Sequence, residues 1–282
     1  MTNKELTVII TTFRSEDKIE SCLNSIDPNI KVFVIENSNN KKFKTYIENK
    51  YLNVECLLTN ENLGYGKANN IGLKKTKTKY CLILNPDTIL EKRAIQNFII
   101  SAEKNKNFYI MAPLQNKDEF TKNNIFKDSF TLLETKQVEG FAMFLNMEKF
   151  FDIGFFDENF FLYLEEIDLC KRVKNKNGKI LIDPNIKIFH FAGKSVNHNF
   201  SYQVELTRNW HWMWSLFYYN KKHSNYFYAL LLILPRFFSA LFKILIYRFI
   251  LRNKKGDIYA KRLSGLYNAL TGKPSWYRPV LD

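Results

Sequence analysis

The sequence predicts an α/β protein, with a mostly parallel sheet flanked by helices and a helical extension at the C-terminus. Short apolar segments alternate with segments of helical spacing through the first half of the 282-residue chain. This alternation is typical of strand–helix–strand units with right-handed crossovers. Several apolar segments end in polar clusters, and near residue 200 the composition shifts towards aromatic and basic residues. With 46% hydrophobic residues, the chain can bury a full core.

The predicted strands are short apolar runs, as expected for strands that are buried on both faces. They lie at residues 6–13, 31–35, 54–58, 80–84, 179–182 and 186–189, with a further apolar run at 138–145. Apolar residues at helical spacing predict the helices. These lie at 16–26, 43–51, 67–75 and 91–104, with another that starts near Leu162. Residues 116–136 lack a clear period and are predicted to form a loop with a hairpin.

Polar residues cluster where four of the predicted strands end. The clusters are Thr11 with Thr12, Glu36 with Asn37, residues 60–66, and Asn85 with Asp87. In an open α/β sheet, ligands bind at the carboxyl ends of the strands, so a nucleotide is expected along this edge. The loop at 60–66 lacks the GxxxxGK[ST] pattern and a third glycine, so an ordinary left-handed turn is the alternative for Gly64 and Gly66.

The run Asn85-Pro86-Asp87 follows the apolar segment 80–84, and Pro86 stops the strand there. A carboxylate and an amide at a strand end can hold a divalent cation that shares the phosphates of a substrate. A plain Asn-Pro-Asp turn is the alternative. His190 also follows a predicted strand, and its imidazole is a common ligand for Mn²⁺. It precedes a Gly-Lys-Ser turn at 193–195, although a purely structural histidine is the alternative.

Three carboxylates open the helix that starts near Leu162. They are Glu165, Glu166 and Asp168. One alternative is a solvated helix start, in which Lys171 and Arg172 pair with these acids. The other is a carboxylate set in which one member is a general base. The many apolar neighbours favour partial burial, and therefore the functional alternative.

The C-terminal part is chemically distinct. From residue 201 onward there are thirteen Lys or Arg against three acidic residues, which accounts for +10 of the formal charge of +14. Nucleic acid and an anionic membrane surface are both partners for such a region. Apolar runs on either side of Pro235 contain Arg236, Lys243 and Arg248. These cations and the proline favour an interfacial helix or hairpin over a transmembrane helix, and a helical subdomain packed on the catalytic core is the alternative.

The four cysteines form no CxxC pair. Reduced, buried thiols in a cytosolic protein are therefore expected rather than disulfides or a zinc site. A strand that starts near Leu6 leaves no room for a secretory signal before it.

Two motifs carry a resemblance to a known family. Residues 154–172 read GFFDENFFLYLEEIDLCKR, and residues 62–70 read NLGYGKANN. The chain resembles the family-2 glycosyltransferases of the GT-A fold, particularly the bacterial rhamnosyltransferase-like branch, whose pattern is GxFDExFFxYxEDxDLCxR. The resemblance runs from about Leu6 to Ser195, and Asn85-Pro86-Asp87 takes the place of the family's DxD metal motif. It implies a GT-A domain at 1–200, with a nucleotide-sugar half at 1–115 and an acceptor half at 116–200, and an extension at 201–282.

The resemblance also implies roles for individual residues. Donor binding falls to Thr11, Thr12, Phe13, Glu36, Asn62, Gly64, Gly66, Asn69, Asn85 and Asp87. Asp87 and His190 would bind Mg²⁺ or Mn²⁺. Glu166 would be the base of an inverting transfer, with Glu165 and Asp168 as alternatives. Glu36 and Glu166 stand where the family usually has aspartate, and one extra methylene moves a carboxylate by roughly an ångström, enough to cost about 10²-fold in rate.

The implied donor is dTDP-rhamnose or a UDP-sugar. The implied acceptor is a saccharide linked to polyprenyl diphosphate, in cell-surface polysaccharide synthesis at the cytoplasmic face of the membrane. A catalytically inactive membrane scaffold is an alternative function, and a basic nucleic-acid-binding protein is another. The second alternative explains the basic tail but not the carboxylates, so nucleic acid is not expected as a partner.

Overall fold

The computed structural model describes residues 5–114, 131–191 and 201–278. The chain forms two compact units. Unit 1 comprises Met1–Leu63, Ala68–Phe156 and Glu166–Val196, and unit 2 comprises Gly64–Lys67, Asp157–Glu165 and Asn197–Asp282. The predicted Gly-Lys-Ser turn at 193–195 and most of the predicted loop at 116–136 lie outside the described residues.

Unit 1 contains an eight-stranded mixed sheet in the order β3-β2-β1-β4-β8-β6-β9-β7. Its strands are β1 (Leu6–Thr12), β2 (Lys31–Glu36), β3 (Val54–Leu58), β4 (Tyr80–Leu84), β6 (Phe108–Pro113), β7 (Leu133–Glu134), β8 (Ala142–Asn146) and β9 (Lys179–Asp183). Strands β1 to β4 are mutually parallel where they pair, β8 is antiparallel to β4 and β6, and β9 is parallel to β6. The predicted mostly parallel α/β sheet is confirmed.

Two short strands form a separate ribbon: β5 (Thr88–Leu90) pairs antiparallel with β10 (Ile188–His190). The sequence analysis assigned residues 88–90 to no strand, because three residues carry too little periodicity to show one. The helix predicted from residue 91 begins later as a result, since residues 88–90 extend along β10 first.

The helices of unit 1 follow the predicted apolar spacing. They are α1 (Glu16–Asn24), α2 (Lys41–Lys50), α3 (Tyr65–Lys75), α4 (Ala94–Lys104) and α5 (Glu165–Asn175), and the first residues of α3 and α5 belong to unit 2. Asn40 caps α2, because its side chain accepts a hydrogen bond from the Phe43 amide. A 3₁₀ turn at Met147–Phe150 follows β8.

The core of unit 1 surrounds β4. Every residue of β4 and of β8 is buried, as expected for strands covered on both faces. The Phe144 ring stacks on Phe98 at 4.8 Å between centroids and lies 5.1 Å from Tyr80. All four cysteines are buried and none is in a disulfide, so the predicted burial of the thiols is confirmed.

Unit 2 contains three long helices: α6 (Ser201–His223), α7 (Tyr226–Phe249) and α8 (Asn253–Leu270). Its core includes Trp210, Met213 and Phe217 of α6. His211 is buried as well, with Nδ1 2.8 Å from the Ser275 hydroxyl and Nε2 2.6 Å from the Tyr277 carbonyl oxygen. Burial lowers the pKa of His211 to about 3, so this ring stays neutral at physiological pH.

Of the predicted helix or hairpin, the structure has the helix: α7 is a single helix of 24 residues that contains Pro235. Proline removes one helical hydrogen bond, but the surrounding apolar turns and the packing of Ala229, Ile233 and Ala240 maintain the helix. By length and composition alone α7 suffices to cross a membrane, with a mean hydropathy of 2.1. Only 17% of its apolar window is buried in the structure.

Candidate active site

The polar strand ends meet along one edge of the sheet, because β1 to β4 are parallel neighbours. Thr12 pairs with Glu36 in the β1–β2 register. The Thr11 hydroxyl donates to the Asn69 side chain at 3.0 Å, which joins the end of β1 to α3. The side-chain Nδ2 of Asn37 donates a hydrogen bond to Asn62 Oδ1 at 3.0 Å. The structure thus brings these predicted donor-binding residues of unit 1 together.

Glu36 is buried, and its carboxylate is already engaged. It accepts hydrogen bonds from the Ser38 amide at 3.0 Å, from the Ser38 hydroxyl, and from the Asn40 amide at 2.6 Å. These bonds shape the turn between β2 and α2. Glu36 is therefore a structural acceptor in this turn, and its predicted contact with a nucleotide base stays a prediction.

Gly64 has the left-handed conformation that the sequence analysis gave as the alternative, with φ of +80°. A Cβ atom there would lie 2.1 Å from the carbonyl oxygen of Phe161, which also accepts the Tyr65 amide at 3.0 Å. Both its φ and the close backbone therefore require glycine at this position. Gly66 differs, because it lies in the first turn of α3.

Asp87 and His190 come together through the β5–β10 ribbon. His190 pairs with Thr88, and the Phe191 amide donates to the Asp87 carbonyl at 3.0 Å. Asp87 Oδ1 then lies 3.4 Å from His190 Nε2. The β5–β10 ribbon thus brings these two residues, which are far apart in the sequence, into contact.

The His190 ring is held in place from two sides. It stacks on Phe141, with 4.6 Å between ring centroids and an interplanar angle of 6°. Asn85 Nδ2 lies 3.5 Å from His190 Nε2. The backbone N–H of Asn85 donates a hydrogen bond to the Phe141 carbonyl oxygen at 2.9 Å. Asn85, Asp87 and His190 therefore form one cluster whose geometry the backbone fixes.

This cluster fits a divalent cation. The Asp87 side chain is 2% exposed, and neither of its carboxylate oxygens has a hydrogen-bond partner among the described residues. A buried carboxylate without partners is costly unless a cation compensates it. Carboxylate oxygen and imidazole nitrogen are ligands that suit Mn²⁺, and Mg²⁺ prefers the oxygen. Within the described ranges no third His, Cys, Asp or Glu completes a metal cluster.

Of the three carboxylates at the start of α5, Asp168 is fully buried and paired. Its Oδ2 accepts the Arg172 Nε at 2.8 Å. The Arg172 guanidinium also donates to the carbonyl oxygens of Ile153, at 2.8 Å, and of Phe155. Asp168 therefore anchors the residue 153–155 backbone through Arg172. This pairing favours the structural alternative for Asp168.

Glu166 has a different environment. It is half-buried, and this burial raises its pKa above the ordinary value for glutamate, to which the charge of Glu139 adds. A raised pKa brings a carboxylate nearer to the range of a general base at neutral pH. Glu165 is buried.

The segment 138–141, which precedes β8, contacts both groups of site residues. Glu139 interacts electrostatically with Glu166, and the Val138 backbone hydrogen-bonds the Cys170 thiol on the next turn of α5. Phe141, two residues further on, packs on His190. A single short segment of unit 1 thus borders both the Asp87–His190 pair and the start of α5.

The backbone before α5 is unusual. Tyr163 and Leu164 both have positive φ, 72° and 68°, although neither is glycine. Such conformations cost of order 1–3 kcal/mol each and persist only where their surroundings hold them. The Tyr163 ring meets Trp212 edge-on at 5.6 Å, and the Ser215 hydroxyl donates to the Leu162 carbonyl at 2.8 Å.

Sequence reasoning missed three residues that organise the site. Asn37 holds the 59–63 loop by accepting the Leu63 amide at 2.9 Å. Asn70 exchanges hydrogen bonds with the Phe156 backbone, at 2.9 and 3.0 Å, and so ties α3 to the aromatic motif. Phe141 orients His190. Asn37 and Asn70 adjoin assigned residues, which was the available signal, whereas nothing in the sequence singles out Phe141.

The chain is thus an α/β protein in which polar residues follow the ends of neighbouring parallel strands. A carboxylate–imidazole pair follows one of these strands. The profile of Glycosyl transferase family 2 matches residues 7–170, more than half of the chain. The chain therefore belongs to glycosyl transferase family 2.

Two curated relatives are similar at low identity. The low-salt glycan biosynthesis hexosyltransferase Agl10 of Haloferax volcanii is 24% identical over 198 residues, or 62% of this chain and 64% of Agl10. The rhamnosyltransferase WbbL of Escherichia coli K12 is 23% identical over 224 residues, or 66% of this chain and 83% of WbbL. The match to Agl10 thus spans less than two thirds of that protein.

Solved structures confirm the fold. The mannosyltransferase PcManGT of Pyrobaculum calidifontis, in complex with GDP-Man and Mn²⁺, has a TM-score of 0.60 at 12% identity, over 95% of this chain and 88% of that one. GalNAc-T7 with UDP, GalNAc and Mn²⁺ has a TM-score of 0.56 at 14% identity, over 71% of this chain and 47% of that one. These are GT-A glycosyltransferases, and the predicted GT-A fold is confirmed.

Proposed function

We propose that the protein is an inverting, divalent-metal-dependent glycosyltransferase that moves a sugar from a nucleoside diphosphate to a saccharide acceptor. The observation that carries the proposal is the Asp87–His190 pair, with two buried carboxylate oxygens that lack a partner among the described residues. In a turn with only a structural role, these unpartnered carboxylate oxygens would cost stability without any gain. A site that receives a cation and a diphosphate uses it.

The donor binds, in this proposal, along the ends of β1 to β4. Thr11, Thr12 and Phe13 contact the nucleoside, and Asn62, Gly64, Gly66 and Asn69 line the phosphates and the sugar. Glu36 contacts the nucleoside as well, and its carboxylate also holds the β2–α2 turn. Residues 1–200 form the catalytic domain, with the donor half at 1–115 and the acceptor half at 116–200, and residues 201–282 form the extension.

The metal site consists of Asp87 and His190, with Asn85 beside them. A cation held there would stabilise the charge that develops on the nucleoside diphosphate leaving group. Glu166 takes the proton of an acceptor hydroxyl while that oxygen attacks the anomeric carbon. The bond from this carbon to the diphosphate oxygen breaks from the opposite side, so the configuration inverts.

The donor sugar is proposed to be L-rhamnose carried by dTDP, because WbbL is a rhamnosyltransferase. UDP-hexoses and UDP-N-acetylhexosamines are the alternatives. The proposed acceptor is a saccharide on polyprenyl diphosphate, in cell-surface polysaccharide synthesis. With this acceptor, the transfer reaction takes place at the cytoplasmic face of the membrane.

Peripheral binding to an anionic membrane is supported by an apolar stripe on α7. Six large side chains on one face of this helix are each 61–88% exposed: Phe227, Leu231, Phe238, Phe242, Leu245 and Phe249. The opposite face packs within unit 2 through Ala229, Ile233 and Ala240. A helix that is packed along one face and apolar along the other suits the plane of the interface rather than a span across it.

The activity is tested by a screen of nucleotide sugars for hydrolysis with added Mn²⁺, Mg²⁺ or EDTA. We expect one donor to be hydrolysed, with a loss of at least about 10²-fold when EDTA removes the metal. Binding of nucleotide without hydrolysis or transfer for any donor would favour the inactive scaffold. Hydrolysis that is unaffected by EDTA would contradict the metal assignment.

A further inference from the structure

A cavity of about 350 Å³ lies between the three long helices of unit 2. Trp212 of α6, Arg236 and Ser239 of α7, and Tyr259 and Arg262 of α8 line it. No aspartate or glutamate is among its lining residues. The cavity is therefore cationic and aromatic, and it is separate from the strand-end residues described above.

The cations around this cavity keep unused hydrogen-bond donors. Arg236 Nη1 donates to the Leu232 carbonyl at 2.9 Å, and Arg262 Nε donates to Asn209 at 2.6 Å. Lys243 and Arg262 each lie 5.0 Å from the centre of the Tyr259 ring. Within the part of the chain that the structure describes, none of the three cations forms an ion pair. Three positive charges thus share one small region without an acid to neutralise them.

The cavity borders the apolar stripe of α7. Arg236, Ser239 and Lys243 are three, four and seven residues apart, so they share one face of the helix. Phe238 and Phe242, which belong to the stripe, each directly precede a residue of this face. Cationic and apolar surfaces are therefore adjacent along the same helix, as they are where a protein meets both lipid headgroups and acyl chains.

We propose that this cavity binds the phosphate headgroup of a membrane lipid whose hydrocarbon chain lies along the apolar stripe. Arginine is suited to phosphate, because its planar fork donates two parallel hydrogen bonds to the phosphate oxygens. The proposal rests on the proposed membrane association, which it deepens by naming the bound group. Nucleic acid fits less well, because the six exposed apolar side chains lie beside the cations.

Trp212 is 37% exposed and lines the cavity, so it should contribute the ligand-sensitive part of the fluorescence from the four tryptophans of the chain. The experiment titrates the full chain with a monomeric short-chain phosphatidic acid and, separately, with inorganic phosphate. We expect saturable binding of the lipid, at least about tenfold tighter than that of inorganic phosphate, because the stripe holds its chains. Equal affinity for the two ligands, or no saturable binding of the lipid, would overturn the proposal.

Charge-matched variants localise the site. Arg236→Gln with Arg262→Gln should weaken lipid binding by at least about tenfold, because both forks are lost. Lys221→Gln with Lys254→Gln removes the same charge away from the cavity and should change binding by less than about threefold. Equal losses in the two double variants would mean diffuse attraction and would overturn the assignment. The single variant Arg236→Gln changes an exposed residue and leaves the Arg262–Asn209 hydrogen bond intact. It should also weaken lipid binding, without a loss of stability.

Two further readouts separate this proposal from the catalytic one. Metal-dependent donor hydrolysis should be the same in the wild type and in Arg236→Gln with Arg262→Gln. If lipid binding is retained by a chain that hydrolyses no donor, only the catalytic proposal fails. Vesicles of phosphatidylcholine that contain either phosphatidylglycerol or polyprenyl phosphate at equal charge then show which lipid is preferred. Binding to both kinds of vesicle that is unchanged in Arg236→Gln with Arg262→Gln would overturn the site.

Discussion

Asp87 and Asp168 are both buried aspartates of unit 1, but their surroundings are opposite. Asp168 accepts a hydrogen bond from Arg172, which in turn binds three backbone carbonyls. Asp87 lies beside a histidine, and neither of its oxygens accepts a hydrogen bond from a described residue. The comparison teaches that burial alone does not reveal function. An acid with its partners supplied by the chain stabilises the fold, whereas one without them is a candidate for binding a ligand, as proposed for Asp87.

The free-energy cost of a buried polar group without partners supports this distinction. An unsatisfied buried polar group costs about 1–3 kcal/mol, and more when it is charged. A domain that is stable by only about 5–15 kcal/mol bears such a cost where function requires it.

The largest effect is expected for Glu166→Gln. Turnover should fall by about 10²–10⁴-fold, because the glutamine cannot take the acceptor proton, while donor affinity is retained. Stability at neutral pH should not fall, since burial raises the pKa of Glu166 and its charged form therefore opposes folding above that pKa. Transfer assays and calorimetry measure both. Near-wild-type turnover would move the base to a neighbouring carboxylate.

Asp87→Asn should lower turnover by about 10²-fold or more, because the carboxylate ligand of the cation is lost. Its thermal stability without metal should equal or exceed that of the wild type, because a buried charge without partners is removed. Calorimetry with and without Mn²⁺ provides the check, since added Mn²⁺ should raise Tm only in the wild type. A strongly destabilised variant would show that Asp87 is structural after all.

Asp168→Asn is expected to give the reverse result. Loss of the partner of Arg172 should destabilise the protein by about 3–5 kcal/mol, because a largely buried guanidinium loses its counter-charge. Turnover per folded molecule should stay within about threefold of the wild type, since the change removes a structural pair. Urea unfolding and active-site titration measure the two quantities. A stable but inactive Asp168→Asn would reverse the roles of Asp168 and Glu166.

The smallest effect is expected for Glu139→Gln. The charge of Glu139 helps to raise the pKa of Glu166, after the larger contribution of burial. Its removal should lower that pKa, so the acidic limb of the pH–rate profile should move to lower pH. Turnover at high pH should be unchanged, because Glu166 is already ionised there. If the acidic limb does not move, Glu166 is not the group whose ionisation gives that limb.

Much of the fold was predictable, because the strands of unit 1 are continuous apolar runs and their polar ends share one edge by topology. Thr11, Asn85 and Asp87 fall where that rule places them. The long motif around Glu166 supplied the family. In these cases the local sequence and the tertiary structure agree.

Other features depend on contacts that local sequence does not encode. The β5–β10 ribbon pairs residues about 100 positions apart, so Thr88–Leu90 showed no strand signal of its own. Glu36 is engaged by backbone amides two and four residues ahead, which composition cannot show. Pro235 remains within a helix because tertiary packing outweighs its local preference.

Tyr163 and Leu164, with their two positive φ angles, lie directly before the acidic turn of α5. Exchange of Leu164 for glycine would relieve the strain at this position, because glycine adopts a positive φ without a steric cost. The same exchange would give the unfolded chain more conformations to lose on folding, so the net change in stability is the difference between these two opposing effects.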